Sequence, residues 1–98
     1  MVRAVRFMPP ARLEVLEARD WYEQRAERLG DAFVAELDRQ VLRISDNAEQ
    51  FPQLHADIRR ARLRRFPYSL FFRVVDDECF VLACFHASRD PRKWSGRR

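Results

Sequence analysis

Hydrophobic positions change their spacing twice along this chain, and each change marks an element. Val5 and Phe7 alternate against Arg6, so Val2 to Met8 reads as a short strand. Pro9 and Pro10 end it, and proline suits the first helical turn, where a missing N–H costs no helical bond. From Ala11 to about Leu29 there is no glycine or proline. Val15, Ala18, Tyr22, Ala26 and Leu29 recur there every three to four residues, the period of one helix face. Gly30 and Asp31 interrupt this pattern and predict an interhelical turn. Phe33, Leu37, Val41 and Ile44 then form the stripe of a second helix reaching about Ala48. So short a link makes the two helices an antiparallel hairpin.

Phe51-Pro52-Gln53 reads as a connector, and beyond it the period falls to two. Ala61 and Leu63 alternate with Arg60, Arg62 and Arg64, the pattern of a half-buried strand with an arginine-bearing face. Phe66 to Val75 is aromatic and β-branched, with Pro67 at its start, where a lost N–H matters least. Asp76-Asp77-Glu78 is a charged hairpin turn, and Cys79 to His86 is the most apolar stretch, a central strand. His55, in a loop beside Asp57, reads as an ordinary surface residue. The predicted order is β-αα-βββ. It is an α+β fold, an antiparallel sheet with the helix hairpin packed on one face.

Composition narrows what such a fold can do. With 98 residues the chain is one domain, spanning 1–98. Its two glycines, Gly30 and Gly96, exclude a glycine-rich phosphate loop. Cys79 and Cys84, five positions apart in one strand, point to opposite faces roughly 17 Å apart and read as inert buried thiols. Two histidines and two cysteines at these spacings offer no metal-ligand cluster, and no cofactor is expected. No apolar run approaches a membrane span, and no signal peptide is evident, so the expected location is cytoplasmic.

Charge adds direction. The net charge is +4, but residues 1–53 balance at −2 and residues 54–98 at +6, and 18 of the 19 basic residues are arginine. Arginine forks onto carboxylates and phosphates, so the second half suits an anionic partner; a solvated, arginine-rich surface is the plainer reading. Arg60, Arg62 and Arg64 on one strand face would repel one another unless a bound anion relieved them. Arg73, between Phe71 and Val75, either reaches the rim and water or binds an anion. His86 either finishes an apolar row made by Phe80, Leu82 and Cys84 or acts as acid or base. Trp94 either folds back on the core or, with the basic tail, stacks on a target.

Several short motifs in succession resemble one family. They are Ala18-Arg19-Asp20-Trp21-Tyr22-Glu23 in the helix hairpin, Phe66-Pro67-Tyr68 opening an aromatic strand, the acidic turn, and His86-Ala87-Ser88-Arg89-Asp90-Pro91-Arg92-Lys93-Trp94. Together they resemble the RelE/ParE superfamily of bacterial type II toxins over nearly the whole chain. The resemblance implies a toxin neutralised by a cognate antitoxin whose C-terminal segment wraps it. Operator DNA would be reached only through that antitoxin. It implies a target as well, either the ribosome and its mRNA, which RelE-like members cut, or DNA gyrase, which ParE-like members poison.

RNA cleavage by 2′-hydroxyl attack needs a base, an acid and a cation for the phosphorane charge. RelE itself is similar in its strands but uses lysines there, whereas Lys93 lies in the tail. Other ribosome-dependent relatives use a histidine near the end of the last strand. His86 occupies such a place, with Tyr68, Arg62, Arg64, Arg73 and Arg89 as candidate neighbours. The missing strand lysines and the motif pattern favour the ParE-like side, a gyrase poison with no catalytic set. The alternatives are a ribosome-dependent endoribonuclease and an inactive homologue serving only in operon repression. The antitoxin segment is expected across Arg60, Arg62, Arg64 and Arg73 and along the helix hairpin, covering Trp21.

Overall fold

The computed structural model describes residues 2–88. The elements are β1 (Ala4–Phe7), α1 (Pro9–Arg25), α2 (Leu29–Asp46), a single 3-10 turn (Ala48–Gln50), β2 (Gln53–His55), β3 (Ile58–Arg62), β4 (Tyr68–Val75) and β5 (Glu78–His86). The α+β class and the helix hairpin over one sheet face are as the sequence pattern implies. Two finer features are not. Gln53 and His55 belong to an exposed edge strand, β2, rather than to a connector and a loop. The sheet runs β1-β5-β4-β3-β2, and β1 lies parallel to β5, while every other pairing is antiparallel.

Prolines 9 and 10 open α1 directly after β1, where no side chain caps the helix. The helix ends earlier than the apolar period suggests, at Arg25. The turn to α2 runs through Arg28, whose backbone is left-handed (φ 67°). Glu23 makes this turn possible: its carboxylate accepts the Arg28 N–H at 3.0 Å and the Gly30 N–H at 3.0 Å, capping α2 from the end of α1. Gly30 is therefore not the turn residue. It lies within α2, and a Cβ there would stand 2.7 Å from the Arg19 carbonyl oxygen. The glycine lets the two helices approach.

Ala11, Ala18, Phe33, Leu37 and Ile44 of the helices pack against Leu70, Phe72, Cys79, Val81 and Cys84 of the strands. A smaller cluster, Ile58, Phe71, Leu82, Ala83 and Phe85, sits on the opposite side of the sheet. Phe71 pairs with Ala83 but Phe72 with Val81, so Leu82 is an extra residue on β5, a β-bulge. The bulge resets the alternation. Cys79 before it and Cys84 after it both face the helices as unbridged, buried thiols, correcting the expectation of opposite faces. It also splits the expected row of Phe80, Leu82, Cys84 and His86, since Leu82 belongs to the far-side cluster and Cys84 to the helix side.

Candidate functional site

The ends of β3, β4 and β5 enclose a cavity of about 380 Å³. Register decides which side chains meet there. Arg62 stands opposite Ser69, and Ser69 opposite Phe85; Arg60 stands opposite Phe71, and Tyr68 opposite His86. Arg60, Arg62, Phe71, Phe85 and His86 all line the cavity, so two guanidinium groups and an imidazole share one aromatic-walled space. That combination can hold a phosphate or carboxylate.

His86 closes β5. The Ser88 N–H donates to its Nδ1 at 3.0 Å, and the Ser88 hydroxyl lies 2.9 Å from the same nitrogen. With Nδ1 accepting, the neutral ring carries its proton on Nε2, the nitrogen left for chemistry. The ring stands edge-on to Tyr68, centroids 5.2 Å apart. The Tyr68 hydroxyl is pushed above its ordinary pKa by burial and then by the nearby Tyr22, Cys84 and Glu17.

Other residues singled out in the sequence do not join this group. Arg73 pairs with Phe80, five positions along β4 from Tyr68, and is held there by Asp57 (3.2 Å and 3.1 Å). It therefore reaches the rim beside a carboxylate of its own chain, away from His86. Arg64 lies beyond the end of β3, so the expected arginine row stops at Arg62. Its backbone N–H donates to Glu36 at 2.6 Å, and it does not line the cavity. Trp21 is on α1, 47% exposed, with the Arg25 guanidinium 3.9 Å from its ring centre. Arg89 and Trp94 lie outside the described residues. Among the described residues no group of three or more His, Cys, Asp or Glu side chains could hold a metal ion.

Glu36 was not foreseen. It is buried on α2, where its carboxylate takes the Arg64 N–H, the Arg39 guanidinium (2.7 Å) and the Gln40 amide (3.3 Å). Burial would raise its pKa, but those hydrogen bonds outweigh burial and hold it below the usual carboxylate value. It fixes the β3–β4 loop, which carries Phe66 and Pro67 into the cavity wall. The signal was present: an acid three residues from Phe33, beside Leu37 on the apolar stripe.

The sequence model of one family, described as "ParE toxin of type II toxin-antitoxin system, parDE", matches residues 5–91. The chain belongs to the ParE toxin family. No curated protein sequence matches it. Solved structures extend the likeness in fold. The chromosomal ParDE system from P. aeruginosa matches with a TM-score of 0.74 and 22% identity, covering 87% of this chain and 96% of that one. The RelBE2 toxin-antitoxin complex from Mycobacterium tuberculosis gives 0.61 and 18%, covering 88% and 99%. A variant of E. coli RelE in the free state gives 0.58 and 14%, covering 99% and 94%. This ParE-family chain is thus a type II toxin by family, in a fold similar to RelE as well. No helix among its described residues is long and apolar enough to cross a membrane.

Proposed function

We propose that this ParE-family toxin inhibits growth by poisoning DNA gyrase, without cutting RNA, and is neutralised in the cytoplasm by a cognate antitoxin. One observation carries the reading: two of the cations an RNA-cutting centre would draw around His86, Arg64 and Arg73, stand apart from it. Arg73 is engaged by Asp57 at the other end of β4, and Arg64 stands outside the cavity. Membership of the ParE family supports the same target. The arginines expected to seat the antitoxin do not form one row, since Arg64 and Arg73 stand apart from Arg60 and Arg62. A different seat, which includes neither them nor Trp21, is the groove of about 670 Å³ between α1, α2 and β1. Its walls are Val5, Phe7, Val15, Leu16, Val34 and Leu37; Arg6, Arg12, Arg19 and Asp38 rim it, with Arg6 paired to Glu78 and Arg19 to Asp20. An amphipathic segment with an acidic flank matches both features.

Ribosome-dependent RNA cleavage has one observation in its favour, the shared cavity of Arg60, Arg62 and His86. A single experiment separates the readings. After brief induction of the toxin alone, mRNA 5′ ends are mapped while purified toxin is assayed for gyrase-dependent DNA breaks. Intact messages with arrested growth and DNA breaks are expected. New ends within codons that vanish in His86→Ala would replace this reading with the endoribonuclease one. Normal growth with intact messages would leave only a partner role in repression.

A further inference from the structure

A second cleft, about 550 Å³, opens between α1 and the end of the β4–β5 hairpin. Trp21, Tyr22 and Tyr68 wall it, and its acidic side chains are Glu14 and Glu17. This is unexpected in a protein of net charge +4. The two cavities already described are lined by arginine, Arg60 and Arg62 in one and Arg6, Arg12 and Arg19 in the other. Among the described residues no arginine lines this cleft, and its one basic side chain is His86.

The two carboxylates differ in what they do. Glu14 accepts the Cys84 N–H at 3.0 Å, at the edge of β5 beyond the end of β1, and is thereby fixed against the sheet. Glu17 is exposed and, among the described residues, enters no hydrogen bond or ion pair, yet its charge acts on the Tyr68 hydroxyl. The faces of aromatic rings attract cations. The Arg25 guanidinium, one turn on along α1, lies 3.9 Å from the Trp21 ring centre, while 47% of Trp21 stays exposed. A planar guanidinium stacks on aromatic faces and forks onto a carboxylate, which a hydrated ammonium does less well.

We propose that this cleft receives one arginine side chain of a protein partner, its guanidinium against Trp21 and Tyr68 and within reach of Glu17. The inference goes beyond the toxin reading and is independent of whether gyrase or the ribosome is the target.

The test is an NMR titration of the full chain with a short blocked peptide holding a single arginine, and with its citrulline, norleucine and glutamate counterparts. The Trp21 indole N–H, assigned through Trp21→Phe, and the Cys84 amide report on the cleft. The arginine peptide is expected to shift both signals saturably and to bind at least about tenfold more tightly than the citrulline peptide, which is neutral but of similar shape. Glu17→Gln, at an exposed position that leaves the fold intact, should remove most of that preference. Equal binding of arginine and citrulline, stronger binding of the norleucine or glutamate peptide, shifts confined to residues elsewhere, or a preference unchanged in Glu17→Gln would each overturn the proposal.

Discussion

The Glu36 carboxylate on α2 accepts the backbone N–H of Arg64 at 2.6 Å, joining a helix to the loop that carries the cavity wall. A buried charge is tolerated here because every neighbour donates to it. Removing the carboxylate strands the Arg64 N–H and the buried Gln40 amide, while the exposed Arg39 guanidinium turns to water. Glu36→Ala should therefore cost about 2–4 kcal/mol in urea unfolding, and Glu36→Gln, which keeps an acceptor, roughly 1–2 kcal/mol. The pH dependence has a definite sign. The folded pKa is depressed, so the contribution is present above the ordinary carboxylate value of 4.5 and is lost as pH falls through the lower folded value. Acid unfolding curves of Glu36→Gln should be flatter below pH 4.5 than those of the parent chain.

Cys84 titrates in the opposite direction. Burial, then the nearby Glu14, pushes its thiol from 9.0 to about 12. The neutral thiol is favoured in the folded chain, so its contribution is present below pH 9 and is lost as pH rises towards 12. Melting temperature should fall across that range, and less steeply in Cys84→Ala. A thiol reagent near neutral pH should label neither cysteine in the native chain and both after unfolding.

Gly30→Ala sets two effects against each other. Alanine improves helix propensity by about 1 kcal/mol. The added Cβ, however, would lie 2.7 Å from the Arg19 carbonyl, a backbone atom that moves only with α1. The contact should win, giving a net loss of about 1–3 kcal/mol in denaturant unfolding.

The arginines should divide into two groups. Arg60 and Arg62 share the cavity with His86, whereas Arg64 and Arg73 do not. Arg60→Ala with Arg62→Ala should weaken binding of inorganic phosphate, measured by NMR shifts at His86, at least about fivefold. Arg73→Ala should leave it unchanged and cost no more than about 1 kcal/mol of stability, since its pair with Asp57 is partly exposed.

The residues above show how far the sequence could be read. Periodicity located both helices and four of the five strands, because apolar spacing reports directly on which face is buried. It missed β2, whose three residues are all exposed and offer a single apolar side chain, Leu54, too little for an alternation. It misjudged Gly30, since a close approach between helices looks the same in sequence as a turn. Alternation also failed on β5, where Leu82 shifts the phase by one and brings Cys79 and Cys84 to the same side. His86 and Arg62 were grouped through the likeness to relatives with a histidine near the end of the last strand, whereas Arg60 was assigned only to the arginine-bearing face of β3 and its place beside His86 comes from the register. Arg73 was drawn into the same group because facing alone says nothing about distance along a strand.

The parallel pairing of β1 with β5 also governs when this toxin can exist. Arg6 and Glu78, ion-paired across that seam, are 72 positions apart. Among the described residues β1 has no other neighbour in the sheet. During synthesis the helix hairpin can therefore form early from local contacts, while the first strand waits unpaired for the last. The cavity, built from β3, β4 and β5, is completed by that same last strand. A ribosome making this protein thus holds an incomplete sheet until β5 has emerged. Closure of the sheet and completion of the cavity therefore arrive together, once β5 is available.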